Sequence, residues 1–229
     1  MTSPPARRRQ RLTPEQRRDQ LVIATVQVLA TRGYRGTTAD EIVKQAGVSK
    51  GLLWHYFTDL DALMENTARR TLMMIASSVG STLDLTAPAP DVIRAAIHGA
   101  AGILRTHPTE RIALNEIVAN LRTPDGSQRL SLNDYEDLYA AQESIFRRGQ
   151  EEGDFRDNLD PRVLAVTYQG AVDAMLGYLE ANPDADPDKH AATVADVLLG
   201  GVCVERRRSR PKADRPRREP SGVRAVRRD

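Results

Sequence analysis

Lys50, Trp54, His55 and Tyr56 crowd into one short stretch of this sequence, with Gly51 and Leu52 between them and Ser49 just ahead. Lys50, His55 and Tyr56 can donate hydrogen bonds to phosphate oxygens or to the edges of bases, and Gly51 lets a backbone approach closely. Large rings exposed on a short helix waste apolar area unless a partner covers them. The plainer alternative makes Trp54 and Tyr56 ordinary core aromatics. Upstream, Thr38 stands where a helix would begin, and there unpaired amides and the helix dipole favour a phosphate. Thr37 lies beside it, and simple N-capping is the other reading of Thr38.

Rival chemistries find little support. Cys203 is the single cysteine, so no internal disulfide and no cysteine-based zinc cluster is expected. His55, His98, His107 and His190 lie far apart, and none pairs with Cys, Asp or Glu at metal-ligand spacing. No metal and no cofactor is therefore expected. Ser77, Ser78 and Ser81 lie in no nucleophile-elbow context, and no Gly-rich phosphate loop follows a strand. Glu151 and Glu152 sit on a charged helix end and read as a solvated face, so an enzyme is not expected. No apolar run approaches the ~20 residues that span a bilayer, and no signal-peptide stretch opens the sequence. A cytoplasmic protein without a membrane partner follows as the expectation.

The elements that must position these residues are helical. Aromatics make up only 4% of the chain, and β-branched or aromatic runs of period two are hard to find, which argues against a sheet protein. Thr13, Pro14 and Gln16 form a capping box, and Val22, Thr25, Val26 and Leu29 follow as the buried stripe of a first helix. Gly33 is expected to stop it. A second, short helix starts at Thr38 with Glu41 at the capping-box position and buries Ala39, Ile42, Val43 and Ala46. Gly47 ends it and Ser49 caps a third helix running to about Tyr56. The turn around Gly47 is that of a helix-turn-helix. In the third helix Val48, Leu53 and Phe57 point inward, which leaves Lys50, Gly51, Leu52, Trp54, His55 and Tyr56 on or near the outer face.

Beyond it the same periodicity predicts a long helix from about Asp59 to Ser81, with Leu63, Thr67, Ala68, Leu72, Ile75 and Val79 along one side. Further helices are predicted over 91–106 and 108–122, then one marked by Tyr135, Leu138, Tyr139, Gln142, Ile145 and Phe146, and last 160–181 and 186–204. The chain is thus expected to be all-α, with about nine helices. A helix-turn-helix domain over 12–58 precedes a helical effector-binding and dimerisation domain over 59–205. The net charge of +2 hides an asymmetry: +4 on 1–20, +8 on 206–229, and −10 between them. Basic ends on an acidic body suggest contact with a polyanion at the ends. Segments 1–11 and 206–229 are read as a basic disordered arm and tail, the tail either touching phosphates or merely solvated.

The run Tyr34-Arg-Gly-Thr-Thr-Ala-Asp-Glu-Ile-Val-Lys-Gln-Ala-Gly-Val-Ser-Lys-Gly-Leu-Leu-Trp-His-Tyr-Phe57, followed by Asp61-Ala-Leu63, resembles the DNA-binding domain of the TetR (tetracycline repressor) family. Turn glycines, caps and the aromatic cluster all fall in register over about 15–65. The rest of the chain matches the family only in helix number and lengths, although Gly149 to Phe155 and Asp160-Pro161 look like what precedes the dimer helices in many members. The resemblance implies a bacterial transcriptional regulator, most often a repressor, that binds operator double-stranded DNA through Thr37, Thr38, Ser49, Lys50, Gly51, Leu52, Trp54, His55 and Tyr56. A small-molecule effector that releases the operator is implied by the family alone. In this family a lysine usually follows the aromatic cluster and contacts phosphate at the start of the fourth helix. Here the matching stretch is Thr58-Asp59-Leu60, without a lysine, and Arg7 to Arg11 could compensate from the minor groove.

A homodimer through 160–204 is expected from two stripes. Val163, Thr167, Gly170, Ala174 and Gly177 form one of small residues, while Leu164, Tyr168, Ala171, Met175 and Tyr178 form a second; the final helix adds Val194, Val197, Leu198, Gly201 and Val202. A helix apolar on two sides must bury both, one inward and one against a partner. Two-fold symmetry implies a pseudo-palindromic operator. An effector cavity is expected between the long fourth helix and the helices at 91–106, 108–122 and 131–152, with Met74, Ile97, Leu104, Ile117, Leu121, Tyr139, Phe146 and Tyr168 as candidate lining and Asn115, Glu116 and His98 as polar contacts; each could equally be plain core. Two rival functions stay open at this point: a DNA binder without an effector, and a protein–protein module.

Overall fold

A computed structural model describes residues 12–130 and 135–204, so the basic segments 1–11 and 206–229 lie outside the described residues. Nine helices are seen among them: α1 (Pro14–Gly36), α2 (Ala39–Ala46), α3 (Lys50–Tyr56), α4 (Leu60–Gly80), α5 (Ala89–Thr106), α6 (Pro108–Asn120), α7 (Glu136–Glu151), α8 (Pro161–Ala181) and α9 (Pro187–Val202). The architecture is all-α. None of these helices is long and apolar enough to cross a membrane.

Local chemistry sets most of the boundaries. The Gln16 amide donates to Thr13 Oγ1 (3.2 Å) and the Thr13 amide to Gln16 Oε1 (2.9 Å), closing the capping box of α1. Asp160 and Asp186 cap α8 and α9, each with a proline in the first turn, where its missing N–H costs nothing. Helix α5 begins at Ala89, two residues before the predicted start, because Pro90 fits a first turn as well as a loop. Helix α1 also departs from expectation. Gly33 takes a left-handed φ of 67° and breaks the helix, but a further turn runs on to Gly36.

Two hydrophobic cores result. Leu21, Ala24, Val28, Ile42, Leu53, Phe57 and Leu63 fill the smaller one, which joins α1, α2, α3 and the start of α4. Val26 and Leu29 of α1, with Met64, Ala68, Leu72 and Ile75 of α4, turn instead into the larger core built on α5 to α9. Both α1 and α4 therefore present one face to each core, and the two regions share rigid struts.

Candidate nucleic-acid interface and ligand cavity

The α2–α3 corner is fixed by its caps. Thr38 Oγ1 accepts from the Glu41 amide and Ser49 Oγ from the Leu52 amide, each at 3.3 Å. Between the two helices Gly47 adopts φ 66° and ψ 38°, a left-handed conformation that glycine takes without strain. Ile42 and Leu53 are wholly buried beneath this corner, with Phe57 beside them. Their burial forces the opposite face of α3 outward: Lys50, Gly51 and His55 are exposed and Trp54 is 40% exposed, while Leu52 and Tyr56 are half-buried. His55 stands edge-on to Tyr56, with ring centroids 5.1 Å apart. Lys50 Nζ rests 3.0 Å from Asp40, an exposed pair of the kind that exchanges readily for a phosphate.

Thr37 corrects the sequence-based expectation. It is buried, and its hydroxyl donates to the Gly33 carbonyl at 2.7 Å, so it holds the α1–α2 corner instead of facing outward. Asp59 explains the missing lysine. Its Oδ1 accepts from the Ala62 amide (2.7 Å) as the N-cap of α4, so that helix start carries its own carboxylate. A cation that sequence reasoning missed stands nearby: the exposed Arg18 guanidinium lies 5.7 Å from the Tyr56 ring centroid. Only packing brings α1 beside α3, so no sequence signal marked it.

Residues 21–67 match the bacterial regulatory proteins of the tetR family. That match takes in α2 and α3 with the parts of α1 and α4 that pack on them. Among curated relatives, the transcriptional activator FasR of Mycolicibacterium smegmatis is 36% identical over 91 residues, covering 40% of this chain and 42% of FasR. The chain spans less than half the length of the curated relatives it matches. Among solved structures, the tetR regulator TylP of Streptomyces fradiae is similar at a TM-score of 0.63 and 21% identity, over 85% of this chain and 90% of that one. The regulator FadR of Bacillus subtilis in complex with stearoyl-CoA is similar at 0.65 and 19%, over 80% and 98%. The likeness to tetR-family folds thus extends through the body as well as the N-terminal domain.

The body of this tetR-type fold holds a cavity of about 470 Å³, partly open to solvent, between α4, α5, α6, α7 and α8. Its wall is mostly aliphatic, with Leu72, Ile75, Ile93, Leu114 and Leu176 among the contributors, and carries Arg111, Asn115, Gln142, Ser144, Gln169 and Asp173 as polar groups. Of the candidates named from sequence, Tyr168 and Asn115 line it. Ile97, Ile117 and Leu121 are wholly buried core, Leu104 packs against that core, and Met74 faces outward from α4. Phe146 lies in the core against Phe155 and Tyr168, and Tyr139 is covered by the Arg162 guanidinium at 4.9 Å. His98 stands 3.9 Å from Asp188, away from the cavity. Gln142, Gln169, Asp173 and Arg111 were missed. Gln142 did leave a signal, since it interrupts the apolar stripe of α7 with an amide.

Glu116 sits at the seam between the two regions. The Tyr34 amide, freed by the break at Gly33, donates to Glu116 Oε2 at 2.7 Å. Arg129 adds a second tie, reaching Glu65 (3.0 Å) and Asp61 (3.3 Å) on α4. Burial and the nearby Asp61 push the Tyr34 hydroxyl above its ordinary pKa. On the opposite side of the body, Val163, Thr167, Gly170, Ala174 and Gly177 of α8 are all exposed, with Val163 at 59% and Val197 of α9 at 72%. Met175 and Tyr168 of the other α8 stripe face the core.

Proposed function

We propose that this chain is a sequence-specific transcriptional regulator that reads operator DNA with α3 and releases it when a small molecule occupies the body cavity. The observation that carries the reading is the outer face of α3, where Lys50, Trp54 and His55 stand exposed above a core that keeps the helix from turning. An α-helix fits the major groove and presents such side chains to base edges. Thr38 and Ser49 stand at helix starts beside that face, and Arg18 supplies a cation where Asp59 supplies none. The chain is read as a cytoplasmic homodimer. Exposed valines and glycines on α8 and α9 leave an apolar face that allows close helix approach, and a two-fold pair would place two recognition helices about 34–36 Å apart on a pseudo-palindrome.

Helix α6 supports the effector role. Arg111, Leu114, Asn115 and Val118 line the cavity, and Glu116 of the same helix holds the Tyr34 amide of α1. A ligand that shifts α6 would therefore move the strut on which α3 is mounted. Fluorescence anisotropy of the full chain on genomic duplex fragments tests the DNA reading. Selection of a palindromic site over its scrambled form supports it, and equal weak binding to both overturns it. Light scattering tests the dimer, which a monomer at micromolar concentration would rule out.

A further inference from the structure

The polar groups of the cavity run in a line along one wall. Asp173 Oδ1 accepts from Gln169 Nε2 (3.0 Å), and Gln169 Oε1 accepts from Gln142 Nε2 (2.7 Å). An ionised carboxylate only accepts, so it orients both amides in turn. Gln169 must direct its NH₂ at Asp173 and its oxygen at Gln142, and Gln142 must then direct its own NH₂ at Gln169. What remains is Gln142 Oε1, an acceptor with no partner among the described residues and closed off from water, on a residue only 8% exposed, so a donor reaches it once the Gln142 side chain turns towards the cavity. A buried acceptor left without a donor is unfavourable until something supplies one.

Charge along the same wall points the same way. Arg111 and Asp173 are the formal charges among the described lining residues. Arg111 Nε donates to Glu180 Oε1 (2.7 Å), and Asn115 Nδ2 donates to Glu180 Oε2 (2.9 Å), so the charge of the guanidinium is already countered by a carboxylate behind the wall. With one cation shared between Glu180 and Asp173, the site carries a net charge of about −1 when both acids are ionised. Water can reach Asp173 within the cavity, yet protein crowds its carboxyl enough that burial raises its pKa above the ordinary value. Such a carboxyl gains more from a bound cation than a solvated one does.

Resting on the effector-site reading above, we propose that the cavity takes an apolar molecule with a hydrogen-bond-donating head, an ammonium above all or else a hydroxyl, seated on Asp173 and drawing in Gln142 Oε1 by a turn of that side chain. Carboxylates and other anions are excluded by the same atoms. They would bring acceptors to an acceptor and negative charge to an uncompensated carboxylate. The remaining wall is aliphatic and suits an alkyl or alicyclic body.

Calorimetric titration of the full chain at pH 7 with decylammonium, decan-1-ol and decanoate, each below its micellar concentration, decides the matter. The expected order is decylammonium, then decan-1-ol, then decanoate, with at least about tenfold between first and last. Asp173→Asn should remove the advantage of the ammonium over the alcohol, and Gln142→Leu should weaken both severalfold. The wild-type ranking stands as a test even if a variant folds poorly. Decanoate binding as tightly as decylammonium overturns the head-group assignment and leaves the cavity as a ligand site. No binding by any member overturns both. Decylammonium that binds in the expected rank without releasing the operator supports the head-group assignment and removes only the effector role.

Discussion

The smaller core of α1, α2 and α3 and the larger core of the body solve opposite problems. Around α3 seven buried side chains leave nothing slack, and the outcome is a short helix whose outer face cannot rotate away. The body buries far more apolar surface and yet keeps about 470 Å³ unfilled among leucines and isoleucines. Protein interiors are normally packed with few voids larger than a water molecule, so a hollow of this size sacrifices contacts that filling it would recover. A surface that must read another molecule calls for a filled, rigid support. A region that must take a molecule in calls for room.

That contrast breaks first, and hardest, at Leu53. It is wholly buried in the small core, so Leu53→Ala should cost about 2–5 kcal/mol there. Operator binding should vanish while the body stays helical by circular dichroism and still binds its ligand. Loss of the whole fold in one transition would show that the struts α1 and α4 fuse the two cores into one cooperative unit. Trp54→Ala or His55→Ala removes outward groups instead. Operator affinity should drop about tenfold or more, with a thermal midpoint close to that of the parent chain. A lowered midpoint would mean that these rings belong to the core after all.

The seam responds more gently. Glu116→Ala removes the carboxylate that accepts from the Tyr34 amide, a charge-assisted bond worth about 1.5–3 kcal/mol. Operator affinity without ligand should change little, whereas the factor by which ligand weakens it should shrink severalfold in paired anisotropy titrations. An unchanged factor would place the coupling elsewhere, with Arg129 the next position to vary.

The smallest effect belongs to Asp173 in the ligand-free chain. Burial raises its pKa in the folded state, so the folded chain holds this proton to higher pH than the unfolded chain does. Stability therefore falls as pH rises from the unfolded pKa through the raised folded one. Asp173→Asn should raise the thermal midpoint at pH 7, and the gain should fade as pH drops towards the ordinary carboxylate range. A variant less stable than the parent at pH 7 would mean that hydrogen bonding from Gln169 outweighs burial.

How much of this could be read beforehand follows the same division. Caps and turn glycines act within four residues of themselves, so Thr13, Thr38, Gly47, Ser49 and Asp160 announced their helices in sequence. The outward set on α3 was legible because it is the complement of Val48, Leu53 and Phe57 on a helix whose period is known. Thr37 was misplaced because its burial depends on how α1 and α2 pack, although the Gly33 carbonyl it bonds lies only four residues away. The helices around the cavity were legible, and the residues of its wall scarcely. A hollow is defined by what several helices fail to fill, and Ile97 and Ile117 look no different in sequence from Ile75 and Ile93, which line it. Polar residues on apolar stripes were the usable clue, and Gln142 was one.

The bond from Tyr34 to Glu116 also bears on dose. If a ligand in the cavity lowers operator affinity by some factor through this seam, operator DNA must lower ligand affinity by that same factor. The threshold concentration of ligand is then a joint property of the cavity and of the particular DNA site the protein occupies. Two operators bound with different strength would let go at different ligand levels, so one regulator answering one ligand could stagger the responses of several genes.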